Sequence, residues 1–401
     1  MKRLILVVTV FIVITFFIIG EKLNNKKEKV ETRLGINEKI EYRGIFISYI
    51  ELEEYIKDVD NDNSKNNIIS ILDNMKNNNF NMAILHVRPF SDAIYNSNIY
   101  PYSSYVSSSE GINPGYDVLS FFIEEAHKRN IEIHAWINPY RIRNTTNIED
   151  ISTSNPAYKY LNTNHVKIIN DKGIFYNPAS SEIRELIISG VEEIVANYDV
   201  DGIHFDDYFY PDDTIDLDNY TEYVNSGGTL TLSDYRLNNI SLLLKGVYDK
   251  IKSIKPNVLF GISPEGNINN NYESNYIDTK KILSEEGYVD YIMPQIYYGF
   301  FNEIMPFIDT VNMWNSLITV PNIKLIPALA FYKVGKVDEY AKGGINEWIN
   351  DDDIIMKQVL LSRNLSNYSG FSLFRYDYIF NLEYQNENTI KERDNLFSII
   401  K

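Results

Sequence analysis

Eight short apolar runs, separated by stretches of helical period, constrain this chain more than any other feature of its sequence. They are Gly44 to Tyr49, Met82 to Arg88, Ile131 to Asn138, Gly202 to Tyr208, Val258 to Ser263, Tyr288 to Tyr297, Lys324 to Phe331 and Gly370 to Arg375. Each ends in polar or aromatic residues rather than a hairpin turn, so its successor needs a crossover connection. Between the runs, apolar residues recur at helical spacing: Ile68, Ile71, Leu72 and Met75; Val118, Phe122, Ile123 and Ala126 behind the capping residue Asp117; Ile183, Leu186, Ile187 and Ile194 after Ser180. Further helices fit Leu232 to Ile254, Thr279 to Glu286, Glu303 to Leu317, Asp351 to Asn364 and Thr389 to Ile399. Eight such units predict an α/β protein, a (β/α)8 TIM barrel over residues 41–401 with its chemistry at the C-terminal strand ends. The rival, a doubly wound sheet, would place a Gly-rich phosphate loop after the first strand, and none stands there.

Two connections are extended, after strands three and four. Tyr140 to Pro178 carries Val166-Lys167-Ile168-Ile169, a turn at Asn170 to Gly173 and Ile174-Phe175-Tyr176, which predicts an inserted hairpin; Pro211 to Ser233 is the other. Ahead of the barrel, Lys2 and Arg3 precede an uncharged run from Leu4 to Ile19. Residues 1–20 are expected to be an export signal that stays as a membrane anchor, with residues 21–40 as a polar tether. The barrel then faces outward from the cell membrane, or is secreted if the signal is cleaved.

Strand alternation sorts the polar residues. His86 and Arg88 oppose Leu85 and Val87; His134, Trp136 and Asn138 oppose Ile133, Ala135 and Ile137; His204 and Asp206 oppose Ile203 and Phe205. Helices cover the outside of a barrel, so the polar sets are expected inside, forming a polar, aromatic-walled pocket. The fourth run ends in Asp206-Asp207-Tyr208, the densest carboxylate feature in the chain. Glycoside cleavage uses two carboxyl groups roughly 5 to 10 Å apart. Asp206 is the first candidate; Asp207 and Glu265, the latter in Ser263-Pro264-Glu265-Gly266, compete for the second role, with Asp92 and Asp377 as less direct options. Trp136, Tyr140, Tyr208, Tyr297 and Tyr298 offer ring faces to sugar CH groups, and Asn138, Arg141, Gln295 and Arg375 offer directional hydrogen bonds.

The net charge of −17 repels phosphate backbones, so nucleic acid is not an expected partner. With no cysteine, thiolate metal centres and cysteine nucleophiles are excluded. No cofactor is expected, and no metal site is assigned. Two other readings fit the same residues: a glycan-binding barrel without catalysis, and a metal-dependent hydrolase in which His86, His134, His204 and Asp206 converge on one ion.

The segments Tyr42-Arg43-Gly44-Ile45-Phe46, His86-Val87-Arg88-Pro89 with Asp92-Ala93-Ile94-Tyr95, Glu124 to Arg129, His134-Ala135-Trp136-Ile137-Asn138-Pro139-Tyr140-Arg141, Asp201 to Tyr208, and Met293-Pro294-Gln295-Ile296-Tyr297 occur in that order. Together they resemble the glycosyl-hydrolase-like family ten, over roughly Tyr42 to Tyr378. The resemblance implies a TIM-barrel bacterial cell-envelope glycosidase with a polysaccharide substrate, above all peptidoglycan glycan strands, including strands stripped of peptides. That family carries an aromatic residue after the Ser-Pro pair, where this chain has Glu265. Set beside the α-amylase strand Asp-Gly-x-Arg-x-Asp, Asp206 falls on the nucleophile and His204 replaces the arginine. Set beside the chitinase strand, Tyr208 takes the place of the acid glutamate.

Overall fold

The computed structural model describes residues 40–207 and 209–401. Among the described residues no helix is long and apolar enough to cross a membrane; the expected anchor and tether lie outside them, apart from Ile40. Tyr42 to Lys401 forms one compact unit.

The strands are β1 (Tyr42–Ile47), β2 (Met82–Arg88), β3 (Glu132–Ile137), β4 (Arg141–Arg143), β5 (Val166–Ile169), β6 (Gly173–Tyr176), β7 (Gly202–Phe205), β8 (Leu259–Ile262), β9 (Tyr291–Ile292), β10 (Lys324–Leu325), β11 (Ala328–Leu329) and β12 (Gly370–Leu373). Nine of them form one parallel sheet in the order β10-β9-β8-β7-β3-β2-β1-β12-β11. Its two ends, β10 and β11, are successive pieces of one run, 324–329, interrupted at Ile326-Pro327. The first piece pairs with β9 and the second with β12, so the pairing runs full circle as in a TIM barrel. Proline has no N–H to donate, which suits a position where a strand changes partner; Ser372 N–H still donates to the Pro327 carbonyl, at 2.9 Å.

Crossover helices cover the outside. Leu232–Ile254 and Ser181–Asn197 pack as the sequence period predicts, their apolar stripes buried and Thr231 and Ser180 capping their first turns. Several boundaries differ from expectation: the run Tyr288 to Tyr297 is strand only over Tyr291–Ile292, and the helix expected from Glu303 starts at Phe307. The first strand ends at Ile47, because Ser48 starts a helix, Tyr49–Tyr55, through a capping box with Glu51. The predicted hairpin is β5–β6, and β4 joins it to make a three-stranded antiparallel sheet. The second long connection carries the helix Leu217–Asn225. The buried pair Asp216 and Arg236 secures it, with Arg236 Nη2 donating to Asp216 Oδ1 at 2.8 Å and Nη1 to the Tyr276 hydroxyl at 2.6 Å.

Inside the barrel, Phe46, Met82, Ile84, Trp136, Tyr291, Met293, Ile326 and Ala328 make an apolar core separate from the larger one between sheet and helices. Two glycines make room for rings at this level, His134 and Tyr291. A Cβ at Gly202 would lie 2.2 Å from His134 Nδ1, and one at Gly261 would lie 2.2 Å from the Tyr291 ring. Gly202→Ala is therefore expected to lower stability by about 1–3 kcal/mol through overpacking, measured as a fall in the urea midpoint. Asp216→Ala, which strands a buried guanidinium, is expected to cost about 3–5 kcal/mol in the same assay.

Candidate functional site

The inner layer supports a cavity of about 280 Å³ at the C-terminal strand ends. Its floor begins with a chain of hydrogen bonds. Tyr291 Oη lies 2.9 Å from both His134 Nδ1 and His204 Nδ1; His204 Nε2 lies 2.9 Å from Ser263 Oγ, and His134 Nε2 lies 3.2 Å from Glu132. Burial, helped by His134, holds His204 well below its usual pKa, so its ring is neutral. A carboxylate only accepts, so His134 Nε2–H donates to Glu132. Tyr291 bridges the two imidazoles, and His204 carries the chain on to Ser263.

Above this floor, Trp136 lies flat against His86, ring centroids 3.6 Å apart and planes within 7°. Its indole N–H is shared between Asn138 Oδ1 and Asp206 Oδ2, both at 3.1 Å. His86 Nε2 lies 3.2 Å from the same Asn138 oxygen. Burial, reinforced by the charge of Arg141, holds His86 well below its usual pKa. As a neutral ring it must place its proton on Nε2 to satisfy that oxygen. Asp206 is thus presented at the end of β7 by an indole whose own position is set by stacking.

Asp207 shares the cavity with Asp206 but sits in a different field. Burial raises its pKa to about 6; Glu265 adds to the rise, while a hydrogen bond from Gln295 and the charge of Arg141 oppose it. The rest of the lining is mostly aromatic and polar, with one aliphatic residue: Phe46, Ser48, Tyr49, Ile50, Ser263, Tyr297, Tyr332 and Phe374.

His86, Trp136, Asn138, Arg141, Asp206, Asp207, Gln295 and Tyr297 therefore meet in one cavity. Other expected site residues stand elsewhere. Tyr208 lies outside the described residues. His134 and His204 face inward as alternation predicts, but they lie in the floor, turned to Tyr291. Arg88 was expected inside and is not: a bulge between His86 and Arg88 shifts the register, and its guanidinium lies 4.4 Å over the Tyr100 ring, beneath Gly190 of the outer helix Ser181–Asn197. Asp92 is buried in the loop after β2, accepting from Phe90 N–H at 3.3 Å. Arg375 is buried below the rim, donating to Asp377 at 2.9 Å and to Glu51, and so ties the helices Tyr49–Tyr55 and Tyr376–Phe380 together. Glu265 faces an adjoining groove, its carboxylate accepting from Asn270 and Asn275 at 3.1 Å. Among the described residues no three His, Asp or Glu side chains gather to hold a metal ion, and the three inner histidines do not converge. Ser48, Tyr49, Ser263, Tyr332 and Phe374 were not singled out by sequence; all follow strand ends, and that position was their available signal.

A full circle of parallel strands, with a cavity at their C-terminal ends holding a pair of aspartates among aromatic walls, is the architecture of barrel glycoside hydrolases. The chain belongs to the family described as glycosyl hydrolase-like 10, whose model matches residues 41–343. Glycosyl hydrolase YngK of Bacillus subtilis (strain 168) is 33% identical over 353 residues, covering 83% of this chain and 66% of the relative. Glycosyl hydrolase DigH of Escherichia coli (strain K12) is 34% identical over 342 residues, covering 78% and 75% respectively. This chain thus spans about two thirds to three quarters of the length of these relatives. Among solved structures, the PgaB (BpsB) glycoside hydrolase domain from Bordetella bronchiseptica superposes with a TM-score of 0.59 at 13% identity, covering 89% of this chain and 99% of that one. The endo-1,4-beta-mannanase from Rhizomucor miehei gives 0.52 at 11% identity, covering 90% and 95%. At such identities the likeness is one of fold.

The raised pKa of Asp207 couples the site to stability. A carboxyl group that binds its proton more tightly when folded contributes stability at pH below 3.8, and loses it as pH rises through about 6. Asp207→Asn keeps the shape and removes that penalty. Its melting temperature is expected to exceed that of the unmodified protein at pH 7.5, with the gap closing by pH 4.

Proposed function

We propose that the protein is a glycoside hydrolase acting on a cell-envelope polysaccharide, with peptidoglycan glycan strands as the substrate. Asp207 is the proton donor, and Asp206 is the nucleophile or the charge that stabilises the oxocarbenium-like transition state. One observation carries the reading: two carboxyl groups share one aromatic-walled cavity in different electrostatic surroundings. Asp207, with its pKa at about 6, holds its proton to a higher pH than an ordinary aspartate, while Asp206 faces an indole N–H that favours the anion. In the reaction Asp207 gives its proton to the glycosidic oxygen as the bond to the anomeric carbon breaks. Asp206 faces the positive charge that develops there, and water completes the hydrolysis.

Family membership and the names of the relatives support a glycosidase, and the resemblance of the sequence motifs supports a wall glycan as substrate. Tyr49, Tyr297 and Tyr332 supply ring faces for pyranose units, and Asn138, Arg141 and Gln295 supply polar contacts. Glu265, outside this cavity, acts on Asp207 through its charge rather than as the donor. The apolar run Leu4 to Ile19 is proposed to export the barrel and hold it at the outer face of the membrane, which brings it to the wall.

Purified wall glycan, with and without stem peptides, tests the activity by release of soluble oligosaccharide. If both preparations are bound and neither is cut, the protein is a glycan-binding barrel instead. On a cleaved substrate, Asp207→Asn is expected to lower kcat by about 10²–10⁴, with much less loss on an aryl glycoside whose leaving group needs no proton. kcat/KM is expected to fall about tenfold per pH unit above pH about 6 as Asp207 ionises.

A further inference from the structure

Beside the cavity runs a second groove of about 340 Å³, and Gln295 and Tyr297 line both. Its inner wall is Glu265 and Tyr298. Its far side is the segment carrying Lys333, Asp338 and Tyr340. The parts are held in place. A parallel bridge joins Glu265 to Gln295, and the Gly266 carbonyl accepts from the Trp314 indole at 2.9 Å. Gly266 leaves no room for a side chain, since a Cβ there would lie 2.6 Å from the Gln295 carbonyl oxygen and 2.7 Å from the Tyr298 ring. Lys333 donates to the Tyr297 carbonyl at 2.8 Å and to Asp338 at 2.7 Å, pinning the far side to the barrel rim.

The charges define what can enter. Lys333 and Asp338 neutralise each other. Glu265 accepts from the neutral amides of Asn270 and Asn275 and has capacity for further hydrogen bonds. Its charge is felt nearby, for it helps burial push the Tyr298 hydroxyl up to about 12. Across the groove Tyr340 is 83% exposed, an unusual setting for a large ring in a folded domain, with Ile304 also exposed beside it. An acceptor carboxylate and an open aromatic ring lining one groove suit a ligand with hydroxyl donors on its edges and CH groups on its face. A carboxylate-bearing unit would meet Glu265 with like charge.

We propose that this groove is a further sugar subsite, continuous with the cavity, which takes an uncharged hexose or N-acetylhexosamine unit: Glu265 accepts its hydroxyl hydrogens and Tyr340 covers its face. The proposal rests on the reading of the neighbouring cavity as a glycosidase site. It adds that the substrate is a chain spanning both, with a unit free of carboxylate in the groove.

Calorimetric titration of Asp207→Asn protein with N-acetylglucosamine oligomers, from disaccharide to hexasaccharide, tests this without turnover. Affinity is expected to rise by about tenfold once the oligomer is long enough to reach the groove. That rise should vanish on adding Tyr340→Ala, and separately on adding Glu265→Gln, with disaccharide binding and melting temperature unchanged. A rise that survives both substitutions, or affinity independent of length while the disaccharide still binds, overturns the subsite and leaves the glycosidase reading standing. If no oligomer binds and the unmodified protein cuts neither these nor wall glycan, the glycosidase reading fails and the subsite falls with it.

Discussion

The fit of His134 and Tyr291 against the bare backbone of Gly202 and Gly261 is the constraint on which the site depends. Inside a small parallel barrel, side chains from neighbouring strands compete for one column of space, and two large rings can share a level only where adjacent strands contribute none. That arrangement puts the Tyr291 hydroxyl between two imidazoles, and one of those imidazoles holds Ser263 at the cavity floor. The polar site is thus built on a packed layer.

Above that layer, stacking does the positioning. Trp136 lies against His86, and its single N–H reaches Asp206 and Asn138 together, so the orientation of the carboxylate follows from ring packing. The neighbouring residue Asp207 has left the strand and meets burial, Gln295 and the field of Glu265. Two identical side chains, adjacent in sequence, thereby meet different surroundings, an indole N–H at Asp206 and burial with the charge of Glu265 at Asp207.

Much of this was legible in the sequence, for identifiable reasons. Period-two alternation placed His86, Trp136, Asn138 and Asp206 on the inner face, and the strand ends located Gln295 and Tyr297. Arg88 escaped the same rule because a bulge shifts the register of the strand just before it, and nothing in His-Val-Arg-Pro advertises the bulge. Alternation also gives a face and no depth, so it could not separate His134 and His204 in the floor from His86 in the cavity. Arg375 stands at a strand end like the lining residues, yet Glu51 lies more than three hundred positions away in sequence, and their pairing draws the guanidinium under the rim. The breaking of the seventh strand at Pro327 between two partners was likewise invisible to local pattern.

The hydrogen-bond chain from Ser263 to Glu132 runs the length of the barrel interior, through His204, Tyr291 and His134. Its inner members are fully buried, whereas Glu132 stands partly open at the N-terminal ends of the strands. The serine hydroxyl at the cavity floor is therefore linked, side chain by side chain, to a carboxylate at the opposite mouth of the barrel. A change in charge at that far end would be passed inward through groups that have no water to turn to.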